Sequence, residues 1–226
     1  MTGVLAQARP LLEWDWVGRN GELLWELTRQ HLYFTGMAVG IGLAISLALS
    51  VVALRWRATL TPILGFGSVL YTIPSLALFA LLLPVLGIGD ALAITALVTY
   101  TILILVRNIV AGIDGVPREV IEAADGMGYR PARRFLEIEL PLAMPVVVAG
   151  LRIASVTVIG LVTVTALIGR GGLGALILRG FRTLPPFPTM IVVGTLLSVV
   201  LAITVDLLLL GVERALTPWA RRKTAP

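Results

Sequence analysis

The sequence predicts an all-α membrane protein with about five transmembrane helices, its N-terminus outside the cell and its C-terminus in the cytoplasm. Three observations carry that expectation. The 226 residues are 58% hydrophobic and 14% charged, against about 25% charged in a typical soluble domain. Five apolar stretches approach or exceed the roughly 20 residues that a bilayer crossing requires, at 32–54, 63–86, 90–106, 142–168 and 187–211. The arginines are distributed unevenly between those stretches.

Residues 1–31 read as an extracytoplasmic or interfacial segment. Trp14, Trp16 and Trp25 stand among acids and arginines, a mixture suited to the headgroup level. Glu13, Asp15, Glu22 and Glu26 interrupt the apolar core that a cleavable signal peptide would need. The single histidine, His31, is expected to be an interfacial polar residue at the edge of the first span. Within that span Gly36, Gly40, Ala44 and Ala48 recur every four residues, a spacing that lets helices approach closely. The second span, 63–86, is expected to cross in one piece, and the third is bounded by Asp90 and Arg107. A charged loop, 107–141, leads to the fourth span. A Gly/Pro-rich flexible outer loop, 169–186, leads to the fifth. The membrane domain is thus 32–211, with a cytoplasmic tail at 212–226.

Arginine placement selects the orientation. With the N-terminus outside, the inner segments hold Arg55, Arg57, Arg107, Arg118, Arg130, Arg133 and Arg134, and the tail adds Arg214, Arg221, Arg222 and Lys223. The outer segments hold Arg9, Arg19, Arg29, Arg170, Arg179 and Arg182. Cytoplasmic loops carry the excess of positive charge, so 107–141 faces the cytoplasm. The formal net charge of +5 is read as this topology signal rather than as a nucleic-acid footprint.

Several functions are excluded. Without cysteine there is no disulfide framework, Cys-based metal site or thiol nucleophile, and one histidine makes no metal cluster. No cofactor is expected. Residues 169–174, GRGGLG, match G-x-G-x-x-G, but an apolar span precedes them and the next acid is Asp206, whereas a dinucleotide site needs a preceding strand and an acid about 20 positions on. A Walker A loop ends in Lys, and the one lysine is Lys223 in the tail. Proton-driven transport usually leaves ionisable groups inside the membrane; Arg152 lies towards the start of the fourth span and Asp206 near the inner end of the fifth. A membrane enzyme finds no clustered acid/base constellation. The energy source is therefore expected on another polypeptide.

The charged loop is the informative segment. Residues 117–141 hold nine charges, and burying them in lipid would cost on the order of 20–30 kcal/mol, so they sit in water. Pro117 suits the start of a helix with Glu119 and Glu122 in its first turns. Gly128 suits a left-handed turn closing it. Pro131 starts a second short helix that Pro141 is expected to end. In it Phe135, Leu136, Ile138 and Leu140 gather while Arg133, Arg134 and Glu137 face elsewhere.

This loop resembles the cytoplasmic signature of permease subunits of binding-protein-dependent ABC importers: E-A-A, three residues, G, nine residues, I-x-L-P. Glu122, Ala123, Ala124, Gly128, Ile138, Leu140 and Pro141 fill its defined positions. The resemblance implies that they form coupling helices docking on an ATPase subunit. It also implies a methionine-permease-like type I importer fold in a bacterial or archaeal cell membrane. The implied partners are two cytoplasmic ATPases, a second permease subunit (identical or a paralogue), an extracytoplasmic solute-binding protein and membrane lipid, with no nucleic acid. Residues 72–89, TIPSLALFALLLPVLGIG, with TRQHLYF at 28–34 and IGRGGLG at 168–174, are similar to the osmoprotectant subfamily that carries glycine betaine, choline or carnitine. Tyr71 stands where that subfamily usually has Gln before T-I-P-S. The pathway is assigned to Tyr71, Thr72, Pro74 and Ser75, and the surface facing the binding protein to Gly169, Gly171, Gly172 and Gly174. An importer for another small solute, such as an amino acid or a sulfonate, remains the alternative.

Overall fold

A computed structural model describes residues 10–219. Arg9, Arg221, Arg222 and Lys223, which enter the orientation count, lie outside the described residues, as do the remaining ends of the N-terminal segment and the tail. Among the described residues the ordered elements are all helical.

Helix α1 (Trp14–Arg19) is followed by α2 (Gly21–Arg55). No proline interrupts residues 21–55, so α2 passes unbroken through the boundary expected at 31/32. At 1.5 Å per residue it is about 52 Å long, well beyond the roughly 30 Å hydrocarbon layer, and its outer turns stand clear of the lipid core. The Trp16 ring meets Phe187 edge-on at 5.6 Å, and the Glu13 N–H donates to Thr189 Oγ1 at 3.0 Å. Those contacts tie the N-terminal segment to the start of the last helix.

The face that α2 buries is Phe34, Ala38, Gly42, Ser46, Ser50 and Ala53. The small-residue stripe expected to pack (Gly36, Gly40, Ala44, Ala48) is exposed. Both rows are small and four apart; they lie two residues out of register, about 200° around a helix, and the bulky Phe34 heads the one that turns inward.

After a turn at Arg57–Thr59 come α3 (Leu60–Thr72) and α4 (Ser75–Leu86), bent by 100° at the break between them. The expected single span is therefore broken. Pro74 is the cause: it lacks a backbone donor and forces the preceding residue out of helical geometry, and Ile73 is extended at φ −66°, ψ 123°.

Helix α5 (Asp90–Asp114) is the most enclosed, with α2, α3, α4 and α8 packed around it. It continues past the expected inner end at 106, which shortens the charged loop. Ion pairs mark its ends: Arg57 with Asp114 at 2.6 Å and Arg170 with Asp90 at 3.2 Å. Residues 57 and 90 thus lie at opposite ends of α5, so the broken pair α3–α4 carries the chain from one end to the other. Four helices are long and apolar enough to cross alone, and the bent pair makes a fifth crossing.

The charged segment folds as α6 (Arg118–Gly126) and α7 (Pro131–Arg134). A π-helical turn at Phe135–Glu139 then leads directly into α8 (Leu140–Val162). Pro141 does not end the helix. Its ring would press on the carbonyl four residues back, at Glu137, and the wide π turn relieves that clash by opening the helix there. A 3₁₀ turn at Val164–Ile168 precedes α9 (Gly172–Arg182) and α10 (Pro188–Leu216). The expected flexible outer loop is mostly the packed helix α9, which buries Leu173 and Leu176 against Leu27 and Val193.

Candidate functional site

The seven signature residues come together at the end of the molecule marked by Arg57 and Asp114. Helix α6 ends in a paired carbonyl cap: the Gly128 N–H donates to Asp125 O at 3.0 Å and the Tyr129 N–H to Ala124 O at 3.1 Å. That double closure needs a left-handed residue at position 128, and Gly128 has φ +81°. Ala124 is buried while Glu122 and Ala123 are exposed; Ile138, Leu140 and Pro141 are half-buried at the root of α8. Val120, Ala123 and Met127, at i, i+3 and i+7, form an exposed ridge on α6, one face of a helix.

Salt links stiffen the segment. Arg134 reaches Asp125 of α6 at 2.6 and 2.7 Å and Glu139 at 2.7 Å, so one guanidinium clamps the two short helices into a single unit. The expectation that Arg134 faces away is corrected: it is half-buried, and Leu136 is 61% exposed instead. The shift follows from the π turn, which brings positions five apart onto one face. Arg133 pairs with Glu137 at 2.8 Å and lies over the Tyr129 ring at 5.0 Å; Arg118 pairs with Glu122 at 3.2 Å.

Tyr71, Thr72, Pro74 and Ser75 flank the break in the second crossing. The Tyr100 hydroxyl donates to the Ile73 carbonyl freed by the break, and the Tyr71 and Tyr100 rings meet edge-to-face at 5.7 Å. Tyr71 is 41% exposed and Tyr100 is buried, so one ring is available at the surface. The Thr72 hydroxyl is turned back onto Ser68 O at 2.7 Å.

The outer-loop glycines serve packing. A Cβ on Gly171 would meet the Ala166 backbone at 2.4 Å, one on Gly172 the His31 backbone at 2.8 Å, and one on Gly174 the Thr163 carbonyl at 2.2 Å. These three are buried and Gly169 alone of the four is exposed. His31 is likewise not interfacial. It is fully buried, and its Nε2 donates to the Ile159 carbonyl at 3.0 Å.

One cluster was missed. Arg152, twelve residues into α8, makes a two-bond fork to Asp206 at 2.8 and 2.9 Å and a third bond to Glu213 at 3.2 Å, both on α10. The available signal was two opposite charges in apolar helices, since such groups persist where they pair. Among the described residues no group of His, Asp or Glu is arranged to hold a metal ion.

The model of the family described as binding-protein-dependent transport system inner membrane component matches residues 36–218. The chain is 38% identical over 199 residues to the choline transport system permease protein OpuBB of Bacillus subtilis, covering 88% of this chain and 90% of that protein. It is 39% identical over 204 residues to the osmoprotectant import permease protein OsmW of Salmonella typhimurium, covering 88% and 94%. To the glycine betaine/carnitine/choline transport system permease protein OpuCB of Bacillus subtilis it is 36% identical, covering 88% and 90%. In fold it is similar to an inward-facing structure of the MetNI methionine ABC transporter, with a TM-score of 0.69, 22% identity and coverage of 86% and 94%. The chain belongs to the family of binding-protein-dependent transport system inner membrane components, as the membrane-spanning permease of an ABC importer whose ATP is hydrolysed by a separate subunit.

Proposed function

We propose that this chain, paired with a second permease subunit, imports a quaternary-amine osmoprotectant of the choline, glycine betaine or carnitine class. Two ATPases bind on the cytoplasmic side and a solute-binding protein outside, with the N-terminus out and the C-terminus in. Residues 118–141 are the ATPase-facing segment, and the exposed ridge Val120–Ala123–Met127 is the surface offered to the ATPase. The observation that carries the solute class is 36–39% identity, over 88% of this chain and 90–94% of each relative, to permeases named for these solutes.

Tyr71, Thr72, Pro74 and Ser75 line the path at the helix break, and Gly169 lies on the surface towards the binding protein. Selectivity resides in the binding protein. A single cation–π contact at an exposed ring is worth about 0.5–1 kcal/mol, whereas micromolar affinity requires about 8 kcal/mol. The one exposed ring at the helix break, Tyr71, falls far short, which suits a path that must release what it admits.

The test measures choline and glycine betaine uptake into proteoliposomes holding the complete importer, and solute binding to the permease–ATPase complex alone. Uptake is expected to follow the binding protein supplied, with no detectable binding in its absence. Micromolar binding without the binding protein, lost on Tyr71→Ala, would place selectivity in the membrane. Absence of uptake of any quaternary amine with the cognate binding protein would refute the solute class.

A further inference from the structure

We propose that Arg152 is a positioning residue for transport, the joint that hands displacement of the ATPase-facing segment to α10 and, through it, to α9 at the outer end. This inference rests on the reading of residues 118–141 given above.

The input is a single column. Residues Pro131–Ile168 run as one helical span, rooted at one end in the Arg134 clamp. At the other end it leads into the turn against which Gly171 and Gly174 are pressed. Helix α10 packs chiefly on α8 and α9. Its buried residues are Thr189, Val193, Gly194 and Ser198, all in the outer half. From Val199 to Leu216 no residue of α10 is fully buried. There the seam with α8 opens into a groove of about 660 Å³, walled by Ala149, Ile153, Val156, Ala202, Ile203 and Leu207. Apolar packing between α8 and α10 is therefore looser in their inner halves than at the outer end. Arg152 spans that gap.

The chemistry of the link suits a joint. Asp206 and Glu213 lie seven residues apart, two turns along one face of α10. The guanidinium spans both, with its two-bond fork on Asp206 and a single longer bond to Glu213. A charge at this depth stays where it has a partner. When α8 shifts along its axis, the fork can transfer from Asp206 to Glu213 without being left unpaired. That gives two discrete arrangements for the coupling to bias. At the outer end α10 and α9 are in close contact. A Cβ on Gly194 would meet Ile177 at 2.8 Å, and one on Gly180 would meet Ile191 at 2.7 Å, so the two helices move together.

The chain has no cysteine, and Phe181 on α9 is 61% exposed. The experiment introduces Phe181→Cys and measures its labelling by a water-soluble maleimide in the assembled complex, without nucleotide and trapped with ATP and vanadate. A nucleotide-dependent change in rate is expected for the parent. Arg152→Gln/Asp206→Asn/Glu213→Gln keeps shape and leaves no charge stranded. It should lose most of that change, a coupling of typically about 5- to 150-fold, while still hydrolysing ATP. The exchange Arg152→Asp/Asp206→Arg should restore it only in part, because it sets a carboxylate at 152 beside Glu213; full restoration would show a static pair rather than a joint. Arg152→Lys, which keeps the charge and loses the fork, should fall between. A nucleotide-dependent change that persists in the neutral triple, or that is absent from the parent, would overturn the proposal. Gly128→Val separates the two ideas. Loss of the response there, with retention in the triple, condemns the joint and spares the ATPase-facing segment. Full retention in Gly128→Val condemns the segment's reading instead.

Discussion

Gly128 offers the cleanest perturbation of the segment proposed to face the ATPase, because a side chain there meets no obstacle. A Cβ added at Gly128 has nothing within 4 Å, so substitution acts through the backbone alone. The residue sits at φ +81° and donates the inner bond of the cap that closes α6. An L-residue held there is strained by about 1–2 kcal/mol, and a β-branched one by up to about 3 kcal/mol. At 1.4 kcal/mol per factor of ten, the ratio of displaced to native cap rises by roughly 5- to 150-fold. Gly128→Asn should be nearly silent, since Asn tolerates the left-handed region; Gly128→Ala should be intermediate, and Gly128→Val should uncouple. The assay is ATPase activity of the reconstituted complex with and without solute-loaded binding protein, alongside uptake and membrane level. Stimulation and uptake should fall in the order Asn, Ala, Val while the amount in the membrane stays constant. Normal coupling in Gly128→Val, or equal loss in Asn and Val, would refute the cap as the origin of the effect.

Single cysteines test the orientation: one at Arg130 should be labelled only after the cytoplasmic face is opened, and one at Arg179 from outside intact cells, with the converse pattern sinking the assignment. Gly42 is set against Thr101, whose Oγ1 would lie 1.8 Å from an added Cβ; Gly42→Ala should destabilise the detergent-solubilised protein by about 1–3 kcal/mol through overpacking. Thr101→Ala in the same chain should recover part of that loss in thermal unfolding, and an unchanged midpoint in Gly42→Ala would show that α2 and α5 are not so close. Nε2 of the fully buried His31 donates to the Ile159 carbonyl; His31→Leu should cost about 1–3 kcal/mol by orphaning that acceptor, whereas unaltered thermal stability would mean that the bond does not hold α2 to α8.

What was legible follows from what each signal measures. Hydropathy located every crossing, because about 20 apolar residues are needed whatever the fold. The cap at Gly128 and the start at Pro131 were legible because backbone geometry restricts those positions to few residue types. Hydropathy carries no backbone information, so the break at Ile73–Pro74 passed unseen inside an apolar run, although Pro74 was its local sign. Gly171, Gly172 and Gly174 were ambiguous for a different reason: the missing Cβ that permits a loose loop also permits a tight helix contact, and the contact won. The partners of Arg152 lie 54 and 61 residues away, a separation at which no local pattern links them.

The exposed ridge on α6 supports the proposal of a partner on this face. A short helix of nine residues is marginal in isolation, and α6 buries one residue, Ala124, against its own chain. It is held by the Gly128 cap and by the Arg134 bridge to Asp125. Those devices fix its direction while leaving Val120, Ala123 and Met127 in water, with Met127 70% exposed. A loop whose task were to connect two spans would need neither the rigid placement nor the uncovered apolar edge. Both are explained together when the ridge is a contact surface: the cap and the bridge hold its angle, and the partner removes its apolar area from water. The π turn then makes the arrangement mechanical, since it lets the helix pass Pro141 and join the contact surface to α8 without a hinge.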